Sequence, residues 1–333
     1  MLANSARQQA IERGLHFFYQ TSRVPENFDL YAHDYLFCLH WISSTSKDVR
    51  LSNLASNMGE ECARRWRRIH VSIPDEADAN VIANLLMGDL SADRFGLPDY
   101  ALKAAIKGMT SLFTSHDYFS FNPDAEPPPT DVPEECDCGE FNCRGNVVCG
   151  SCQEKLQMAS RYEVWLDGLI ASYLGEQYGV KLGARYLDVL KWLPTMRPYQ
   201  TYDEKHENDF IWSIYAITHV VYTLNDYSTY RLSTEGLTAE FDFLQASINR
   251  IIDMEDPETV GEMLDSLRAF GLGNAHESVQ RGQEYLIDSQ NSDGSWGDVG
   301  VEDIYDRYHP TVMALNGLRD YAWGHTRWSP LRV

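Results

Sequence analysis

Basic residues are scarce in this 333-residue chain: 28 Lys and Arg stand against 49 Asp and Glu, a formal net charge of -21. Such an excess of negative charge repels phosphate backbones and anionic lipid headgroups, so nucleic acid and membrane surfaces are not expected as partners, whereas neutral or cationic small molecules are compatible. Long hydrophobic runs are also missing, and none approaches the roughly 20 apolar residues that a membrane-spanning helix needs. The segment from Met1 to Gln20 alternates polar and apolar residues and carries Arg7, Glu12 and Arg13, which is not the pattern of a secretory leader. A cytoplasmic location is therefore expected. There is no Gly-rich phosphate loop, no Ser-His-Asp hydrolase elbow and no His-Glu-x-x-His zinc motif, so nucleotide-driven and protease-type chemistry are not expected.

What the chain does have is apolar residues at helical spacing over most of its length, with 44% hydrophobic residues to fill a core. The periodicity predicts helices over about 3–20, 29–45, 49–68, 76–90, 98–114, 153–178, 180–192, 207–231, 237–253, 257–270, 275–289 and 305–323. Asp29, Ser52, Pro98, Asn208, Thr238 and Pro257 are the expected start signals. Helices joined by short connections form either a stacked solenoid or about six hairpins closed into a ring, with alternate helices on the inner wall.

The run Gln290-Asn291-Ser292-Asp293-Gly294-Ser295-Trp296-Gly297-Asp298, followed by Tyr308-His309-Pro310-Thr311 and an apolar helix, favours the ring. It resembles the repeat of protein prenyltransferases and squalene cyclases, in which a Gln caps an outer helix, a Gly permits a tight turn and an aromatic ring stacks beneath the next inner helix. The resemblance covers about residues 275 to 323. It implies an all-α, α/α-toroid fold for a single domain over 1–333, and an isoprenoid-like or other hydrophobic small-molecule substrate. Leu224-Asn225-Asp226-Tyr227 weakly echoes Leu318-Arg319-Asp320-Tyr321.

One stretch breaks the helical rhythm. Residues 121–152 hold Pro123, Pro127, Pro128, Pro129 and Pro133, then Cys136, Cys138, Cys143, Cys149 and Cys152. A connection this long and this rich in special residues reads as an inserted loop, and crowded cysteines in a cytosolic chain suggest metal thiolates before disulfides. Four of the five thiolates could surround one structural zinc, the glycines permitting the tight turns; disulfides, redox-active thiols and an iron–sulfur cluster are the alternatives.

Histidines mark the candidate reactive site. If even-numbered helices form the inner wall, His33, His219 and His309 all lie on inner helices, and His206 sits just before one. Nearby are Asp29, Tyr31 and Asp34, then Glu204, Glu207 and Asp209, then Asp303, Tyr305 and Asp306. Imidazole and carboxylate groups converging in a cavity suit zinc or non-haem iron, and without metal they serve as acid and base. The catalytic candidates are His33, His309, Asp34, Asp306 and Tyr305, and the candidate central metal ligands are His33, His206, His219 and His309. In protein prenyltransferases a zinc-binding histidine follows an Asp-x-Tyr-His-like start, which Asp306-Arg307-Tyr308-His309 resembles. Their Asp-x-Cys has no counterpart at Phe241-Asp242-Phe243-Leu244, and the Asp-x-Asp-Asp of class II cyclases is replaced by Asp253-Met254-Glu255-Asp256.

Trp165, Trp212, Tyr215, Tyr222 and Tyr305 fall on expected inner helices, where such rings fill a core or line an apolar pocket. Arg64-Arg65-Trp66-Arg67-Arg68 reads as a solvated helix end, or in a chain this acidic as a partner for carboxylates or an anionic ligand head. The expectation is an enzyme acting on a hydrophobic small molecule in a toroid cavity by cyclisation, isomerisation or metal-assisted oxidation. A non-catalytic, zinc-stabilised helical scaffold is the alternative.

Overall fold

Helices begin where a side-chain oxygen can satisfy the first unpaired backbone N–H groups. Asp48 accepts from Arg50 N, Asp99 from Ala101 N and Leu102 N, and Asp256 from Thr259 N with Pro257 at the first helical position. Two expected starts are displaced. Asp29 and Ser52 lie inside helices that begin earlier, at Pro25 and Val49.

The computed structural model describes residues 2–327, so Met1 and 328–333 at the ends of the expected single domain lie outside it. Fourteen helical segments appear among the described residues: α1 (Leu2–Arg23), α2 (Pro25–Thr45), α3 (Val49–Ile69), α4 (Ala79–Arg94), α5 (Tyr100–Thr110), α6 (Ser115–Phe119), α7 (Arg161–Tyr178), α8 (Tyr186–Leu190), α9 (Leu193–Met196), α10 (Glu207–Leu224), α11 (Thr238–Asp253), α12 (Pro257–Ala269), α13 (Glu277–Asp288) and α14 (Tyr305–Leu318). Among the described residues the chain is all-α apart from two short strands, β1 (Arg231–Leu232) and β2 (Thr326–Arg327), which pair in parallel. No described helix is long and apolar enough to cross a membrane.

Contacts divide the chain into two units. Unit 1 holds described residues 2–73, 84–103 and 221–327, and unit 2 holds Pro74–Ala83 and Ala104–Val220. Unit 1 is built in two layers. Every residue of α12 from Thr259 to Ala269 is buried, as is α14 from Pro310 to Leu318, whereas α11 and α13 bury one face only. A helix buried all round belongs to an inner layer, and an amphipathic one covers it.

The inner helices α2, α14 and α12 run parallel, because their contacts advance together. Tyr31 and Tyr35 meet Tyr308, and Ser46 meets Arg319; Glu258 meets His309, and Arg268 meets Gly317 and Arg319. The outer α1 runs the opposite way, with Arg7 on Asp320 and Phe18 on Tyr308. Two glycines set the closest crossing. A Cβ on Gly261 would lie 2.8 Å from Ala314 N and nearer still to the Met313 carbonyl, and one on Gly317 would lie 3.0 Å from Gly261 Cα. Only hydrogen side chains let these two backbones approach so closely.

The Gln290–Trp296 segment locks α1, α13 and α14 together. Gln290 donates to Ala10 O and to Gly294 O, each at 2.9 Å; the fully buried Trp296 donates from Nε1 to Leu286 O at 2.7 Å, and Thr311 Oγ1 accepts from Trp296 N. Gly294 has φ +95° and presses on Arg13 O, a position that a side chain would obstruct. The two echo segments also have related places: each begins at the last residue of a helix, α10 or α14, and the strands β1 and β2 just beyond them pair with each other.

Several helices end sooner than their periodicity suggests. α10 stops at Leu224 because Asp226, Tyr227 and Ser228 all take positive φ, held by Ser228 N donating to Asn225 Oδ1 and Ser228 Oγ donating to Asp265. Of the expected 180–192 helix only α8 is helical, and the 98–114 helix is α5 alone, ending at Thr110; α9 and α6 lie beyond those bounds. The arginine run is solvated only in part: Arg64 and Arg68 are exposed, whereas Trp66 is buried, Arg67 pairs with the carboxylates of Asp89 and Asp93, and Arg65 lies 4.0 Å from the centre of the Phe28 ring.

In unit 2, α7 packs beside α8, where Trp165 Nε1 donates to Val189 O. Ser160, which caps α7, also donates to Asp209 Oδ1 near the start of α10, at 2.6 Å. The 121–152 insert lies here. Its Arg144 bridges Glu126 and Asp131, and Trp192 Nε1 holds Pro123 O. The insert extends past Cys152, since Val148 pairs with Lys155 and Pro133 with Met158, so α7 begins at Arg161 instead of 153.

Candidate active centre and thiolate cluster

The first turns of the inner helices in unit 1 bring carboxylates, phenols and one imidazole together. α14 contributes Tyr305, Tyr308 and His309; α12 contributes Glu258 and Glu262, one turn apart; α2 contributes Asp34 and Cys38 just after a break in its helical geometry at Tyr31. His309 Nδ1 lies 3.0 Å from Glu258 Oε1, and His309 Nδ1, Glu258 and Glu262 offer ligand atoms all within 4.8 Å of one another. The ring of Tyr305 stacks on His309, with centroids 4.8 Å apart and planes 13° apart. Tyr31, Tyr305 and Tyr308 form a mutually contacting trio with centroid separations of 5.4–5.8 Å.

The electrostatics of this cluster are dominated by carboxylates. Burial alone would lower the pKa of His309, but Glu258, Asp34 and Glu262 overcome it and lift the imidazole to about 9. Burial, reinforced by Asp34, pushes the Tyr305 and Tyr308 phenols well above their ordinary range, so both remain protonated donors at neutral pH. Burial likewise raises the Cys38 thiol, which donates to Asp34 Oδ1 at 3.5 Å. A separate open cleft of about 680 Å³ adjoins the cluster through Glu258 and Pro310, its rim carrying Glu255, Asp256, Asp288 and Asp298.

Of the candidates read from sequence, His309, Asp34 and Tyr305 meet here. His33 lies beside Asp34 in the chain; burial lowers its pKa, and it feels His70 at the end of α3. Asp306 is exposed and acts on Tyr31, whose hydroxyl donates to Asp303 at 2.8 Å. His206, in unit 2, is exposed and pairs with Asp203 at 3.0 Å, and His219 places Nδ1 2.9 Å from Tyr215 O one turn back in its own helix. Glu258 and Glu262 were missed. Their four-residue spacing was the available signal, because it sets two carboxylates on one face of a helix otherwise filled by Val260, Gly261, Met263 and Leu264.

Unit 2 contains a second carboxylate pair that the sequence reading passed over. Glu163 and Asp167 lie one turn apart on α7, and burial pushes each up to about 7, with Glu134 adding to the first and Glu163 to the second.

In the insert, Cys136, Cys138, Cys149 and Cys152 have sulfurs within 4.8 Å of one another, with Cys136 to Cys152 at 3.5 Å and Cys138 to Cys149 at 3.7 Å. Sulfurs bound tetrahedrally at about 2.3 Å from one ion stand roughly 3.8 Å apart. These donors therefore fit a single metal. Backbone N–H groups of Cys152 and Ser151, with Asn142, lower the Cys149 thiol to about 6. Asn142 Oδ1 also accepts from Gly150 N, bracing the turn between the last two cysteines. Cys143, counted among the ligands from sequence, is exposed and lies outside this quartet.

No protein-family model matches the chain, and comparison with curated proteins finds no match.

Proposed function

We propose that this protein is an enzyme acting on a hydrophobic small molecule, with its reactive centre formed by His309, Glu258, Glu262 and Asp34 and walled by Tyr31, Tyr305 and Tyr308. The observation that carries this reading is the His309 ring, set against Glu258 at 3.0 Å, stacked on Tyr305, and lifted to about 9 by three carboxylates. Three carboxylates around one imidazole are costly for a core to bury and are the kind of arrangement that reactive centres retain. The aromatic wall supplies apolar surface beside donors and acceptors, the usual makeup of a small-molecule pocket. An isoprenoid-like substrate, and cyclisation, isomerisation or metal-assisted oxidation as the reaction, fit these groups.

The alternation of buried parallel helices with amphipathic covering helices in unit 1 is the building rule of an α/α toroid, and we extend it to the whole chain as part of the same proposal. The Cys136, Cys138, Cys149 and Cys152 quartet is assigned to a structural zinc, since a closed set of four thiolates leaves no open coordination position for chemistry.

The test is to incubate the full chain with a panel of isoprenoid alcohols, olefins and related apolar natural products and to analyse the extracts by mass spectrometry. Conversion of at least one compound, lost in a folded His309→Gln variant, supports the assignment. Conversion that survives in His309→Gln removes this centre from the reaction. The scaffold alternative draws on the exposed Phe141, Val147 and Val148 of the insert. It would be favoured by absence of any conversion together with stable capture of a protein partner through those residues.

A further inference from the structure

We propose that Glu258, Glu262 and His309 bind one divalent metal ion of the Mn²⁺ or Fe²⁺ type, distinct from any metal in the cysteine quartet. This deepens the reading of the same cluster as a reactive centre. Glu258 and Glu262 point to the site from successive turns of α12, and His309 from the first turns of α14, with ligand atoms within 4.8 Å of one another.

The detail that favours an ion over a plain salt bridge is the alignment of His309. Its Nδ1 atom is buried and stands 3.0 Å from Glu258 Oε1, close enough for an ion pair but outside the alignment of an ordinary hydrogen bond. Two ligands of one metal look this way. For a nitrogen and an oxygen each about 2.1 Å from an ion, neighbouring donors stand roughly 3.0 to 3.4 Å apart and face the ion instead of each other.

Charge supports the same assignment. Asp34, Glu258 and Glu262 all act on the His309 ring. A protonated imidazole offsets one of those three negative charges, and a dication offsets two. Two carboxylates and one imidazole are a donor set for borderline and hard divalent ions, whereas the thiolate quartet selects softer ones. Access is provided as well: Glu258 also lines the adjoining cleft, whose Glu255, Asp256, Asp288 and Asp298 would draw cations toward it. The Gly261 crossing fixes α12 against α14 at backbone contact, so the ligands sit on two rigid elements.

Mn²⁺ titration of the full-length chain, followed by the electron paramagnetic resonance signal of free Mn²⁺, tests this without a substrate. The expected result is one Mn²⁺ per chain, at least tenfold weaker binding in Glu258→Gln and in Glu262→Gln, and unchanged binding in Cys149→Ser. Glu258 is part-exposed, so a folded Glu258→Gln protein, verified by circular dichroism, carries the test even if the buried Glu262 variant unfolds. Absence of Mn²⁺ binding in the wild type, or wild-type affinity in folded Glu258→Gln, overturns the assignment. Substrate conversion by a metal-free chain would overturn the metal and leave the reactive centre. Tight Mn²⁺ binding in a chain that converts nothing would support the metal and remove the catalytic reading.

Discussion

Gly261→Ala is the substitution whose consequences follow most directly from the packing. The added Cβ would lie 2.8 Å from Ala314 N and closer still to the Met313 carbonyl, whereas ordinary contact begins near 3.4 Å. Both obstacles are backbone, so no rotamer change relieves them, and α12 and α14 must separate by more than about 0.6 Å, the shortfall at Ala314 N alone. Overpacking a tight core costs about 1–3 kcal/mol, and a clash of backbone on both sides belongs at the upper end, about 3 kcal/mol. For a chain of this length that is a fall of about 4 °C in thermal midpoint. The same displacement spreads Glu258 and Glu262 away from His309, so Mn²⁺ affinity falls with stability although Gly261 contacts no ligand. Urea unfolding followed by circular dichroism measures the first effect, and the paramagnetic titration the second. Gly108 in α5 supplies the control of opposite sign, since nothing lies within 4 Å of its Cβ position. Gly108→Ala is expected to stabilise by roughly 0.5–1 kcal/mol. Equal stability of Gly261→Ala and wild type would refute the close crossing and, with it, the geometry of the centre.

Other perturbations have defined outcomes. Burial and then Arg94 lower His40 to about 4 from its ordinary 6.5, so the folded state holds it neutral; its contribution is full above pH 6.5 and about 3 kcal/mol is lost as pH falls to 4. His40→Phe should flatten the stability profile in that window, and an unchanged profile would contradict the assignment. Asp167, with its folded pKa raised to about 7, has the opposite sign: stability is present below about pH 4 and declines as pH rises through 7. Asp167→Asn should therefore exceed wild type in stability at pH 8 and match it near pH 3.5. Gln290→Ala removes bonds to Ala10 O and Gly294 O and should cost about 1–2 kcal/mol in urea unfolding. Cys149→Ser should release metal and open the insert to proteolysis, whereas Cys143→Ser should change neither.

The helices were legible because their apolar periodicity is a local property, and the insert because its prolines and cysteines are. Unexpected ends came from interactions between distant positions, such as Ser228 reaching Asp265 to stop α10, or Arg67 leaving solvent for Asp89. His309, Asp34 and Tyr305 could be picked out because chemistry-bearing residues at the first turns of inner helices share one end of a parallel layer. Glu258 and Glu262 were not legible in the sequence, because on a helix this apolar their carboxylates gain meaning only where Gly261 brings α12 against α14. Cys143 shows the converse limit, since spacing identifies thiols that could converge without choosing four from five.

Elemental analysis of the purified chain beside a Cys136/Cys138/Cys149/Cys152 quadruple serine variant tests the account most directly. It predicts two metal ions per wild-type chain, zinc among them, with zinc lost from the variant and one ion retained at the Glu258, Glu262 and His309 centre. Zinc as the sole metal, wholly lost with the four cysteines, would contradict it.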